Sequence, residues 1–104
     1  MKSELTVLLH RRFYSLHGHS DFSCGDGWYR VIDALFCVLE ARERAEGLHL
    51  MVSDVKEKHG ALSVQLHGGD DYCLGALDAA NYMSSTLCEL CGMPGKLNDA
   101  TDSR

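Results

Sequence analysis

Leu5, Leu8, Leu9, Phe13 and Leu16 recur at three- and four-residue intervals after Ser3. That is the spacing of one helical face, with Ser3 as its cap, and it predicts a first helix ending near His17. Residues 17–27, HGHSDFSCGDG, are turn formers throughout and predict a loop that closes on Asp26 as the cap of the next element. The second stripe is the strongest in the chain. Trp28, Val31, Ile32, Leu35, Phe36, Val38 and Leu39 predict a helix at the centre of the core, continued by the charged EARERAE to a stop at Gly47.

Beyond Gly47 the period drops to two. LHLMVSDV and ALSVQLH read as strands, since Leu62, Val64 and Leu66 alternate with Ser63, Gln65 and His67. The polar KEKHG between them predicts an antiparallel hairpin with residues 56–60 at its tip. After the turn at Gly68-Gly-Asp-Asp71, a shared face of Tyr72, Ala76, Ala80, Met83 and Leu87 predicts a third helix that delivers a cysteine pair at its end. The expected fold is α+β in the order helix, helix, strand, strand, helix, with the larger helices on one face of a small antiparallel sheet. Residues 1–97 are expected to form one domain and 98–104, which lack an apolar anchor, a flexible tail. The edge of such a sheet is a place where a second copy, giving a homodimer, or a partner strand can add.

A chain of 104 residues with 45% hydrophobic and 24% charged residues fits one folded domain. Its formal charge of −5 argues against phosphate-backbone binding as the main activity and for a basic protein surface as partner. No apolar run approaches the roughly 20 residues that span a bilayer, and His10, Arg11 and Arg12 interrupt what would be the apolar part of a signal peptide, so the cytoplasm is the expected location. Five cysteines at irregular positions 24, 37, 73, 88 and 91 suggest thiols in a reducing compartment.

Cys88 and Cys91 form the one cysteine motif, CELCG. Two thiolates at this spacing can bind one zinc ion, and the following glycine lets the backbone turn towards sulfur. No Cys or His follows Cys91, so completing ligands would come from Cys73, His67, His59, or His17 and His19. The competing reading is two half-buried thiols that end a helix; a redox pair is less expected, because active pairs of that kind sit at helix starts. Cys24, with His17 or His19, could serve as nucleophile and base, against the plainer reading of a polar loop whose Asp26 caps a helix. Asp26, Lys56, Glu57, Lys58 and His59 are candidate partner contacts, against the plainer reading of a solvated turn. Trp28 is expected in the core.

Three segments in order, CGDGWYRVIDALFCVLE, VSDVKEKHGALSVQL and SSTLCELCGMPGKL, give a resemblance over about residues 22–97. The chain resembles a family of small uncharacterised bacteriophage and prophage proteins with Cys-Gly-Asp-Gly-Trp, Lys-Glu-Lys-Phe-Gly-like and Cys-x-x-Cys-Gly-x-Pro-Gly segments. In that family a second Cys/His pair follows near the carboxy terminus, which implies a small zinc module; Cys88 and Cys91 match the first pair, and the second has no counterpart here. His59 stands where the family commonly has Phe, and Ser63 where it often has Arg. The resemblance implies a phage-encoded, non-catalytic protein that occludes a host protein complex, a CRISPR effector being one such target. The alternative is a zinc-dependent nucleic-acid or regulatory module on Cys88 and Cys91. With the second pair missing, the two cysteines are expected to be remnants capping the last helix.

Overall fold

The computed structural model describes residues 1, 3–13, 16 and 22–94. The expected tail at 98–104 and the loop residues His17, His19 and Asp21 lie outside them. The elements are α1 (Ser3–Arg12), β1 (Phe22–Ser23), a 3-10 turn (Asp26–Trp28), α2 (Tyr29–Glu46), β2 (Met51–Lys58), β3 (Ala61–His67) and α3 (Asp71–Ser85). The α+β class and the order helix, helix, strand, strand, helix are those expected from the sequence. The sheet, however, is mixed: β2 lies in the middle, antiparallel to β3 and parallel to β1, with Phe22 opposite Val55 and Ser23 opposite Lys56. A two-residue strand shows no alternation, and it is hidden among turn formers.

α2 forms where the apolar stripe predicts it. Val31, Ile32, Leu35, Phe36 and Leu39 are buried, and Gly47 ends the helix in the left-handed region at φ +68°, its N–H bonded to the Glu43 carbonyl. Asp26 is not the cap. The residue at the start of the 3-10 turn is Gly25 and that at the start of α2 is Trp28, and neither supplies a side-chain cap bond. One buried cluster joins Leu9, Phe13 and Leu16 to the inner face of α2, to Val52, Val55 and Leu62 of the hairpin, and to Cys73 and Ala80 of α3. Phe13 meets Phe36 edge-on, ring centres 5.4 Å apart, the arrangement aromatic quadrupoles favour.

The hairpin runs further than its polarity suggests. β2 continues through Lys56, Glu57 and Lys58, and the turn is only His59-Gly60, with φ of +56° and +82°. Two successive positive φ values match the twist of a tight two-residue hairpin, and they explain Gly60. Glu57 supports the turn by accepting the Gly60 N–H at 2.7 Å.

α3 is capped by Asp70, whose Oδ1 accepts the Cys73 N–H at 3.1 Å. Its buried residues are Cys73, Ala80 and Ser84, with Ala76 and Leu77 partly buried. The expected stripe is therefore rotated: Tyr72 and Met83 are half exposed, because polar Ser84 takes an inward position. Ser84 Oγ accepts the Leu62 N–H at 2.7 Å and donates to the Asn81 carbonyl at 2.8 Å, while Asn81 Nδ2 donates to the Leu62 carbonyl at 3.0 Å. Two polar side chains thus supply, at Leu62, the partners a neighbouring strand would give an edge position. A hydropathy pattern cannot reveal that.

Candidate functional site: an interlocked cysteine turn and an open helical groove

The chain after α3 does not extend the helix. Thr86 caps it, and residues 87–94 fold back as a tight turn: Leu87 bridges Pro94 in antiparallel fashion, Cys88 N–H donates to the Met93 carbonyl at 2.7 Å, and Gly92 N–H to the Cys88 carbonyl at 2.8 Å. Gly92, at φ +77°, makes the reversal. The cysteines therefore stand on a separate turn rather than ending a helix, and they do not cap α3.

This turn is locked onto the Gly25–Trp28 segment. Gly27 N–H donates to the Glu89 carbonyl at 2.6 Å, Gly25 N–H to Glu89 Oε2 at 2.7 Å, and Trp28 Nε1 to the Leu87 carbonyl at 3.3 Å. Each such bond contributes about 1 kcal/mol net, and more where the acceptor is a carboxylate. Backbone touches backbone. A Cβ built on Gly27 would lie 2.2 Å from the Cys88 carbonyl oxygen and 2.4 Å from Gly92 N, and one on Gly25 would lie 2.4 Å from the Glu89 carbonyl oxygen. The two glycine-flanked motifs, far apart in sequence, are the two sides of one joint.

Cys88 is half-buried and Cys91 exposed. The backbone amides of Cys91 and Leu90, with the Cys91 thiol, favour the thiolate of Cys88 and hold its thiol below the ordinary value. Of the expected completing ligands, Cys73, His67 and His59 do not join the pair. Cys73 is buried in the first turn of α3, and fifteen residues of largely helical chain place it roughly 20 Å from Cys88. His67 closes β3 and hydrogen-bonds Ser53 Oγ at 3.0 Å; His59 forms the hairpin turn. His17 and His19 lie outside the described residues. Among the described residues no three His, Cys, Asp or Glu side chains gather around a common point.

Comparison with family models, with curated proteins and with solved structures found no match.

Cys24 is a poor nucleophile. Burial pushes its thiol up to about 11, with Glu89 and Asp26 adding to the rise and the amino terminus opposing it, so it stays protonated at neutral pH. Of the expected partner contacts, Lys56, Glu57 and Lys58 run along β2 with exposed side chains, Lys56 pairing with Asp54 at 3.2 Å, and Asp26 lies in the 3-10 turn. Pairing of Ser23 with Lys56 brings the start of the Asp26 loop alongside this part of β2.

The second open feature is a groove between α2 and α3. Its volume is about 460 Å³, and its walls include Ala34, Val38, Tyr72, Gly75, Ala79 and Met83. Ala34, Val38, Ala41 and Ala45 make a second, outward stripe on α2, whose inner stripe faces the core. At one end Arg42 clasps the two helices, donating from Nε to Asp70 Oδ2 at 3.0 Å while its guanidinium lies 4.6 Å from the Tyr72 ring centre. Sequence reasoning missed the groove and the glycine joint. The available signals were small residues at helical spacing on an outer face, Gly75 with Ala79, and glycines on both sides of Asp26. No helix among the described residues is long and apolar enough to cross a membrane.

Proposed function

We propose that this chain is a non-catalytic binding protein that takes an amphipathic helix of a host protein complex into the groove between α2 and α3 and acts by occluding it. The carrying observation is the groove itself: two helices present an apolar trough whose small residues leave room for inserted side chains, with Tyr72 and Met83 half exposed at its walls. That is the form in which amphipathic helices are received. Asp71 lines the trough, Asp78 is exposed on the same helix, and the formal charge is −5, so basic residues at the edges of the partner helix complement it. The resemblance to phage proteins makes a bacterial defence complex, a CRISPR effector first, the target to test. Expression of the chain in a CRISPR-defended strain should restore phage plating and co-purify a stoichiometric defence complex. Ala79→Arg, which fills the trough from an exposed helical position, should abolish both while leaving the thermal melt in place. Unrestored plating, or an Ala79→Arg variant as active as the parent, overturns the proposal.

A second reading is a zinc-binding module built on Cys88 and Cys91. It is favoured by the turn at 87–94, which carries both thiols at ligand spacing and is fixed to the core through Gly25, Gly27 and Trp28. Remnant cysteines capping a helix would need none of this. Metal analysis of reduced protein exposed to zinc and then desalted decides it: zinc lost from Cys88→Ser and Cys91→Ser but retained by the parent supports it, and no retained zinc in the parent removes it.

A further inference from the structure

We infer that Cys88 and Cys91 are one half of an intermolecular site, in which two copies of this chain each present the pair and share a single thiophilic divalent cation, zinc in the first instance, as a tetrathiolate. The inference rests on the metal-binding reading above and adds to it the source of the missing ligands. A tetrahedral structural zinc takes four ligands, and one turn supplies two neighbouring corners. Among the described residues no third ligating side chain joins the pair, and Cys24 and Cys73 are buried.

The way the turn is presented points to a second copy. Leu90 is 78% exposed and Met93 64%, so the turn that carries the thiols also presents two apolar side chains at the surface. A twofold axis through the metal sets the same patch opposite itself, as in any isologous dimer, and lets Leu90 and Met93 cover one another while they exclude water from the sulfurs. The turn is already held by backbone bonds to Gly25 and Gly27, so little ordering is lost when it binds. Ligation transfers the remaining thiol protons to solvent and leaves a metal core of charge −2. Two chains of formal charge −5 repel one another, so the metal must supply the attraction, and a chelator should return monomers.

The test is titration of zinc into the reduced, metal-free full chain with light scattering and metal analysis, repeated with cobalt as a spectroscopic probe. The expected result is saturation at about half an ion per chain, a doubling of mass that chelator reverses, and cobalt spectra of a four-thiolate tetrahedral site. Cys91→Ser should lose ion and dimer together, and Leu90→Glu, which keeps both thiols, should weaken the dimer at least tenfold. One zinc bound per monomer would overturn the sharing while leaving the metal reading intact. No uptake overturns both, and a dimer indifferent to chelator and to Cys91→Ser overturns the shared site.

Discussion

The two sides of α3 follow different rules. On its inner side Ser84 and Asn81 bond the backbone of Leu62, and the chain beyond the helix presses its own backbone against Gly25 and Gly27. On its outer side Tyr72, Gly75, Ala79 and Met83 face an open trough. A glycine on the closed side is demanded by space, since a methyl would meet carbonyl oxygen and amide nitrogen that cannot retreat singly. A glycine on the open side answers to no such demand. The same residue type therefore carries opposite meanings within one short stretch of structure, and only the approach of a second backbone separates them.

Gly27→Ala is the strongest way to break the closed side. Its Cβ would lie within 2.6 Å of three backbone atoms of residues 88–92, so relief requires the whole turn to move and its bonds to residues 25–28 to stretch. The expected loss is about 3 kcal/mol by urea unfolding, at the upper end for overpacking. A loss below about 0.5 kcal/mol would show that the joint yields and the two sides of α3 are not so different. Ser84→Ala comes next. It leaves the buried Leu62 N–H without its acceptor, for an expected cost of about 2 kcal/mol and faster hydrogen exchange at Leu62 than at its neighbours on β3. Unchanged exchange at Leu62 would mean that another group satisfies that amide.

Gly75→Ala sharpens the comparison from the other side, because its sign should be reversed. A Cβ at Gly75 has nothing within 4 Å, and alanine in a helix interior is favoured over glycine by about 0.5–1 kcal/mol. Thermal unfolding should move upward. A downward shift would mean that the trough is narrower than its walls indicate.

Most of the fold was legible, and the reasons differ by element. α2 could be read because its inner stripe is long and its stop is a glycine with positive φ; β2 and β3 could be read because Leu62, Val64 and Leu66 alternate with polar residues. β1 could not, being two residues long and paired to a strand far along the chain. The face of α3 was misread because hydropathy assigns Tyr72 and Met83 inward and Ser84 outward, whereas hydrogen bonding to an edge strand decides the matter. The cysteine pair was visible as a motif, but its joint to Gly25 and Gly27 is a contact between backbones about sixty residues apart, which no local spacing encodes. The groove was hidden for the opposite reason, since alanines on an outer face look like helix propensity alone.

The smallest expected effect lies where the two sides of α3 meet, at its amino-terminal cap, Asp70. Partial desolvation works against the Asp70 charge, but the bonds from Cys73 and from Arg42 outweigh it and hold the carboxyl below its ordinary value. With the folded-state value depressed, the contribution to stability is complete above the ordinary carboxylate range and is lost as pH falls through the folded-state value. Asp70→Asn keeps a cap oxygen for the Cys73 N–H and removes the charge facing Arg42. The difference in stability between parent and Asp70→Asn should therefore be small and positive at about pH 6, and should vanish towards about pH 2. Because Arg42 and Asp70 are each 30% exposed, added salt should shrink the difference at about pH 6. If the difference instead persisted unchanged at low pH, the clasp between α2 and α3 would owe nothing to charge, and the stacking of Arg42 on Tyr72 would be what closes that end of the groove.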